Sequence, residues 1–247
     1  MDNNTKITVV TVCYNAVEMI ERTIISVLNQ TYNNIEYIIV DGASNDGTVE
    51  IIKKYSDKLA FFISEPDKGI YDAMNKAIDH ATGEWINFMN SGDCFASNKV
   101  ISDIFGSYRG DAGVIFGNTL LNQGNKIRSN KGRINENDFP DLVHQSTFVR
   151  TKLMKSFHFD TAFVISADFA FLYKLYQSNI EFYYVDKDVS VYDMSGLSST
   201  NREILYREHC KIRDTHPRMI NLLKYKIEDA LPIKIVWFVR ELLHFKS

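Results

Sequence analysis

The first hundred residues alternate between short apolar runs and helix-spaced segments, and this restricts the chain more than any other feature. Residues 7–12 (ITVVTV) form a continuous, mostly β-branched run, the pattern of a strand covered on both faces. Val17, Ile20, Ile24, Val27 and Leu28 then recur at helical spacing over 17–28. A second strand is expected over 36–40 (EYIIV), ending at Asp41-Gly42. The turn and cap residues of 44–48 (SNDGT) precede a helix over 49–55. A strand over 59–64, a helix over 70–81 that stops near Thr82-Gly83, and a strand over 84–89 (EWINFM) follow. Strand and helix at this spacing predict right-handed βαβ units in an α/β fold. Its central sheet is Rossmann-like, mostly parallel and flanked by helices.

The second half is less regular. A helix is expected over 98–108, a strand over 113–116 and a strand over 145–149. A helix over 167–177 and strands over 181–185 and 189–192 complete the reading. The stretch 122–141 is rich in Asn, Gly, Lys and Arg and reads as loops over or beside a site. No linker separates two independent domains.

Composition removes several classes. With 247 residues and 45% hydrophobic content the chain buries a full core without disulfides. A net charge of −3 offers no basic field for nucleic acid. Cys13, Cys94 and Cys210 are far apart with no CxxC, which argues against a disulfide scaffold or cysteine zinc site. A reducing, cytoplasmic compartment fits them. The opening MDNNTK has no apolar leader, and no run of about 18 apolar residues reads as a membrane span.

In open α/β sheets ligands bind beyond the carboxyl ends of the strands. There the chain places Val12-Cys13-Tyr14, then Asp41-Gly42, then Glu65-Pro66-Asp67-Lys68-Gly69, then Asn90-Ser91-Gly92-Asp93. Three of four strand ends deliver a carboxylate to one edge, an unfavourable arrangement without a cation or hydrogen-bond donors. The plainer reading is that aspartates end strands and cap helices. No GxGxxG follows the first strand, which removes the main support for a dinucleotide site, and no GxxxxGK[ST] occurs.

The segments TVVTVCYN, IIVDGASNDGT and EPDKGIYDAMNKAIDHATGEWINFMNSGD, covering about residues 5–95, resemble glycosyltransferase family 2. The closest resemblance is to bacterial members of the colanic-acid biosynthesis type. A weaker likeness continues through HQSTFVR and SADFAFLYKL. The resemblance implies a GT-A fold, with a nucleotide-sugar half over 1–97, an acceptor half over 98–217 and a C-terminal helical tail over 218–247. It implies a typically inverting, metal-dependent transferase in bacterial polysaccharide synthesis. The expected transfer takes a hexose from a nucleotide-sugar, usually a UDP-sugar, to a saccharide or polyprenyl-linked saccharide. By the same resemblance Val12, Cys13 and Tyr14 cradle the base and Asp41 hydrogen-bonds it. Asp67 and Lys68 lie where base, ribose or phosphates are contacted, and Asn75 faces the donor. Ser91, Gly92 and Asp93 match the DxD motif, with serine at its first position. Asp93 is then the protein carboxylate left to hold Mg²⁺ or Mn²⁺, and water and the diphosphate fill the other positions.

Asp168, at the start of the helix over 167–177, matches the family's general base. The plainer reading is a helix cap, and Asp160 is the nearest rival. His144 and Gln145 resemble an HQ segment near the acceptor, and a structural histidine is the alternative. Ser195 and Gly196 resemble a Gly-Ser loop after the base, with a surface turn as alternative.

The tail over 218–247 carries Arg218, Lys224, Lys226, Lys234, Arg240 and Lys246 against Glu228, Asp229 and Glu241, a local excess of three positive charges. Such a segment suits an interfacial helix on an anionic membrane, here the inner face of the plasma membrane. It equally suits a helix packed on the catalytic domain or on a second subunit, which leaves a homo-oligomer open. Two functional rivals remain. A sugar nucleotidyltransferase would want a Gly-rich loop with Arg and Lys after the first strand, which CYNAVEMIERT lacks. A non-catalytic sugar-nucleotide-binding or scaffold protein is favoured by the single aspartate of Ser-Gly-Asp.

Overall fold

The computed structural model describes residues 5–122, 127–135, 138–194, 200–232 and 235–236. Among these residues, nine strands make one sheet and two more form a separate hairpin. The parallel part joins β1 (Ile7–Cys13), β2 (Ile35–Asp41), β3 (Phe61–Ser64) and β4 (Trp85–Phe88) in the order β3-β2-β1-β4. Helices α1 (Ile20–Leu28), α2 (Thr48–Lys53) and α3 (Ile70–His80) connect them. The strand after β4, β5 (Cys94–Phe95), ends the sheet at its far edge. Beyond α4 (Val100–Ser107) the sheet continues through β6 (Val114–Asn122), with β7 (Ile127–Asn130) on its flank. β10 (Thr147–Arg150) runs antiparallel between β4 and β6, and β11 (Phe182–Asp193) runs parallel to β6.

Side chains alternate across the strands, so each face acquires its own core. Ile7 and Val9 pack with Ile20, Ile24 and Val27 of α1 and Ile101 and Ile104 of α4. Val10 and Val12 pack with Met74, Ala77 and Ile78 of α3. The same face takes Met154 of α5 (Thr151–Phe157) and Phe171, Leu172 and Leu175 of α6 (Ala167–Gln177). Each fully buried aliphatic side chain contributes about 1.5–3 kcal/mol, which fixes the layers before any polar contact is counted.

Two expectations need correction. The polar stretch over 122–141 is not simply loop. It carries β7, β8 (Arg133–Asn135) and β9 (Asp138–Asp141), the last two forming the separate hairpin. Strands of hydrophilic sequence lack the apolar alternation by which strands are recognised. The two strands expected over 181–192 are one, because Asp186-Lys187-Asp188 forms a register irregularity rather than a turn.

Two helices close the described chain, α7 (Arg202–Ile212) and α8 (Met219–Asp229). No helix among the described residues is long and apolar enough to cross a membrane.

Candidate active site

The carboxyl ends of β1, β2, β3 and β4 meet at one edge, and two hydrogen-bonded clusters occupy it. The first surrounds Asp41, which is fully buried. Its carboxylate accepts from the Ser44 backbone N–H at 2.9 Å, the Ser44 hydroxyl at 2.5 Å, the Ser64 hydroxyl at 2.6 Å and the Cys13 thiol at 3.4 Å. Burial, reinforced by the Asp41 charge, pushes the Cys13 thiol up, so it stays a donor. Gly42 follows. A Cβ there would collide with the Asp67 carboxylate and meet the Tyr14 ring at 3.3 Å, so glycine leaves room for these two side chains to approach as they do. Tyr14 is 65% exposed and forms an open aromatic wall. The loop after β2 is stitched to the loop after β1: Ser44 Oγ, Thr48 Oγ1 and Asp46 Oδ2 accept the N–H groups of Asn15, Ala16 and Val17.

The second cluster begins where β4 ends. The Ser91 N–H donates to the Val12 carbonyl at 3.2 Å, which sets the two clusters side by side. Gly92 has φ of 99°, a left-handed turn that suits glycine. Its N–H and the Asp93 carbonyl both meet the Thr23 hydroxyl, and its own carbonyl accepts from Arg22. The Asp93 side chain is 4% exposed. Gln145 Nε2 donates to Asp93 Oδ2 at 2.6 Å, and the Asp193 backbone N–H donates to Oδ1 at 2.8 Å. Burial outweighs both donors and lifts the Asp93 carboxyl to about 6.

The neighbour of Gln145 reaches the other aspartate. His144 Nδ1 lies 2.5 Å from Asp168 Oδ2, and His144 Nε2 lies 3.0 Å from Asn90 Nδ2. An amide nitrogen only donates, so Nε2 accepts and the imidazole proton sits on Nδ1, facing the carboxylate. Asp168 Oδ1 accepts the Phe169 N–H at 2.9 Å. The Tyr71 hydroxyl lies 2.8 Å from the same oxygen and 2.6 Å from the Ile165 carbonyl, and its single proton serves one of them at a time. Burial pushes the Asp168 carboxyl up, but the His144 and Tyr71 hydrogen bonds and the helix N–H outweigh it, so Asp168 sits below the ordinary aspartate range.

Asp93, His144, Gln145 and Asp168 thus form one continuous site with Ser91 and Gly92, beside the cluster of Val12, Cys13, Tyr14, Asp41 and Asp67. Lys68 has its side chain in solvent, while its backbone N–H donates to Asp72 Oδ2. Asn75 turns elsewhere: its side chain exchanges two hydrogen bonds with the backbone of Phe159, at 2.9 and 2.8 Å. Asp160, the rival base, is exposed and accepts the Ala162 N–H within its own turn. Ser195 and Gly196 lie outside the described residues.

Several supporting residues escaped the sequence reading. Asn87, buried in the middle of β4, donates to the Gln145 and Thr147 carbonyls and fixes the 3-10 turn His144–Ser146. A polar residue inside an apolar strand was the available signal. Thr23 likewise sits on the buried stripe of α1. Glu208 of α7 accepts the N–H groups of Val164, Ile165 and Ser166 at 2.7, 3.0 and 2.9 Å, immediately before α6. Nothing in the local sequence marks it, because its partners are backbone groups.

The fold is that of the GT-A glycosyltransferases. Staphylococcus aureus TarS 1–349 superposes with a TM-score of 0.66 at 20% identity, over 84% of this chain and 64% of that one. The Pyrobaculum calidifontis mannosyltransferase PcManGT, in complex with GDP-Man and Mn²⁺, gives 0.66 at 16% identity over 93% and 71%. The sequence carries the assignment further: the model described as "Glycosyl transferase family 2" matches residues 8–179, and the chain belongs to that family. An uncharacterized glycosyltransferase of Mycobacterium tuberculosis, Rv1514c, is 38% identical over 97 residues, 39% of this chain and 37% of the relative. The Escherichia coli UDP-Glc:alpha-D-GlcNAc-diphosphoundecaprenol beta-1,3-glucosyltransferase WfgD is 33% identical over 115 residues, 46% of each chain. The matched region spans less than half the length of these relatives.

Proposed function

We propose that the protein is an inverting glycosyltransferase that moves a hexose from a UDP-sugar to a saccharide or polyprenyl-linked saccharide in bacterial polysaccharide synthesis. One observation carries this reading. Adjacent residues, His144 and Gln145, hold the two aspartates that the chemistry needs, 2.5 Å from Asp168 and 2.6 Å from Asp93. One sugar ring between them would meet its leaving group on the Asp93 side and its nucleophile on the Asp168 side.

The surroundings of Asp93 fit a hard divalent cation, Mg²⁺ or Mn²⁺. A buried carboxylate raised by desolvation gains from a counter-charge, and the Ser91 hydroxyl beside it has no protein partner. Asp93 would hold the ion, with Ser91 and Asp193 alongside. Among the described residues no three His, Cys, Asp or Glu side chains converge on a metal position. Most positions therefore fall to water and donor phosphates, which magnesium accepts. When bound, the cation neutralises charge growing on the departing diphosphate.

The chain's own groups do the rest. Tyr14 offers its ring face to the base, and Gly92 brings backbone close to the phosphates. Asp168, ionised at neutral pH, takes the acceptor hydroxyl proton. Tyr71 can turn its own proton to Ile165, which frees a lone pair on Oδ1. The acceptor oxygen then bonds to the anomeric carbon on the face opposite the breaking bond to the diphosphate, which inverts its configuration.

Transfer assays with UDP-, GDP- and dTDP-sugars and manganese test this. An inverted product with a UDP-sugar, lost in Asp168→Asn, supports it. A retained anomeric configuration, or full transfer by Asp168→Asn, overturns it. The serine at position 91 favours a second reading, a non-catalytic sugar-nucleotide-binding protein. Slow hydrolysis of donor by water separates the two, since a binder shows none.

A further inference from the structure

Helix α8 is amphipathic in the inverted sense. A helix on a protein surface normally buries its apolar stripe and shows charge to water. Here the acids turn inward. Asp229 Oδ1 and Oδ2 accept the backbone N–H groups of Arg202 and Glu203 at 2.9 and 3.0 Å, and the Arg202 guanidinium lies 3.3 Å from Asp229 and 3.8 Å from Glu228. Leu222 is buried on this inner face, and Tyr225 packs on Tyr206 of α7 with ring centroids 5.3 Å apart.

The outer face is apolar. Met219, Ile220, Leu223 and Ile227 are 78%, 71%, 57% and 54% exposed. At 3.6 residues per turn these four fall within an arc of about 100°. Lys226 borders the arc on one side and Lys224 on the other, both exposed, and Arg218 is exposed just before the helix. No acid of α8 lies on this face. Leu231 and Ile235, also exposed, follow it.

We propose that this face of α8 is a docking surface for an anionic lipid bilayer. The apolar arc enters the headgroup–acyl boundary, and the flanking lysines extend their stems along it with ammonium groups at the lipid phosphates. Charge decides the occupant. A second copy joined by a twofold axis would present the same face, lysines and no carboxylate, so cations would gather without complement. Lipid phosphates supply the missing charge. The docked helix hairpin also bears Glu208, which braces the backbone before Asp168, so the site would sit close to the bilayer. Vesicle binding needs neither donor nor acceptor, so it is tested independently of the proposed transfer reaction.

The test is sedimentation of the full chain with vesicles of phosphatidylcholine alone and of phosphatidylcholine with phosphatidylglycerol. Binding to the anionic vesicles, weakened by salt, is expected. Lys224→Gln with Lys226→Gln should lower partitioning about 25-fold, at about fivefold per lysine. Leu223→Ser with Ile227→Ser should abolish it, while the unfolding midpoint and donor hydrolysis stay unchanged because these side chains face outward. Absence of sedimentation with anionic vesicles, or binding indifferent to both pairs, overturns the proposal. So does a dimer mass in light scattering that Leu223→Ser with Ile227→Ser reduces to monomer, since the face would then be a subunit contact.

Discussion

Asp93 and Asp168 are reached by neighbouring side chains of one short turn, yet the protein holds them in opposite electrostatic states. Asp93 ends a strand inside the sheet edge, with two neutral donors and little water, and its carboxyl is lifted to about 6. Asp168 opens a helix, with an imidazole, the Tyr71 hydroxyl and the Phe169 N–H around it, and is held below the ordinary range. The helix N-terminus favours the same ionised form. The difference shows how two chemically identical groups acquire two tasks. On the proposed reading, one is short of positive charge and would be completed by a cation. The other is already compensated, and on the same reading it would stay ionised to receive a proton.

The largest effect is expected from erasing one side of this contrast. Asp168→Asn should cost about 10²–10⁴-fold in transfer with donor affinity kept, read as kcat against donor binding. An equal loss of donor binding would mean that the helix end, and not the base, had been damaged.

Glu208→Ala should come next. Three backbone N–H groups before Asp168, two of them on buried residues, would lose their acceptor, at a cost of about 1–3 kcal/mol in stability, with kcat falling more than donor affinity. Chemical denaturation alongside kinetics checks both.

Asp93→Asn should abolish metal-dependent transfer yet stabilise the metal-free protein at neutral pH by up to about 3 kcal/mol. Gln145 can flip its amide to offer Oε1, which has no partner now. The sign follows from the folded carboxyl lying above its unfolded value. The penalty is absent below about pH 4, grows as the unfolded carboxyl ionises while the folded one keeps its proton, and is complete above about 6, where the folded group ionises too. Thermal midpoints in chelator across that range should diverge as pH rises. Parallel curves would remove the desolvation argument.

The smallest effect is a displacement. His144→Gln removes the imidazole that lowers Asp168, so the acidic limb of the kcat/KM profile should move to higher pH. An unmoved limb would assign the titration to another group.

Much of the fold was legible in the chain. Apolar runs at strand spacing and helical repeats between them gave β1 to β4 and α1 to α3, because β1, β2 and β4 are buried on both faces and the helices between them pack on a core. The hydrophilic strands β7 to β9 were not legible, since pairing alone leaves no apolar signature. At the site, the residues at strand ends could be named, but their relations could not. Asn75 looked like a donor contact, and its amide is committed to Phe159. Asn87 and Glu208 look ordinary in sequence, and each positions a catalytic candidate through backbone groups, which carry no sequence identity.

The sequence by itself determined the layered α/β architecture and the gathering of acidic strand ends at one rim, because periodicity and turn chemistry are local. Only the tertiary structure decided what each acid became. Asp93 meets Gln145 across 52 positions and Tyr71 meets Asp168 across 97, and the charge state of a carboxylate follows from such remote neighbours and from the water they exclude. The same holds for α8, whose acids face inward because Arg202, more than twenty residues away, is there to receive them.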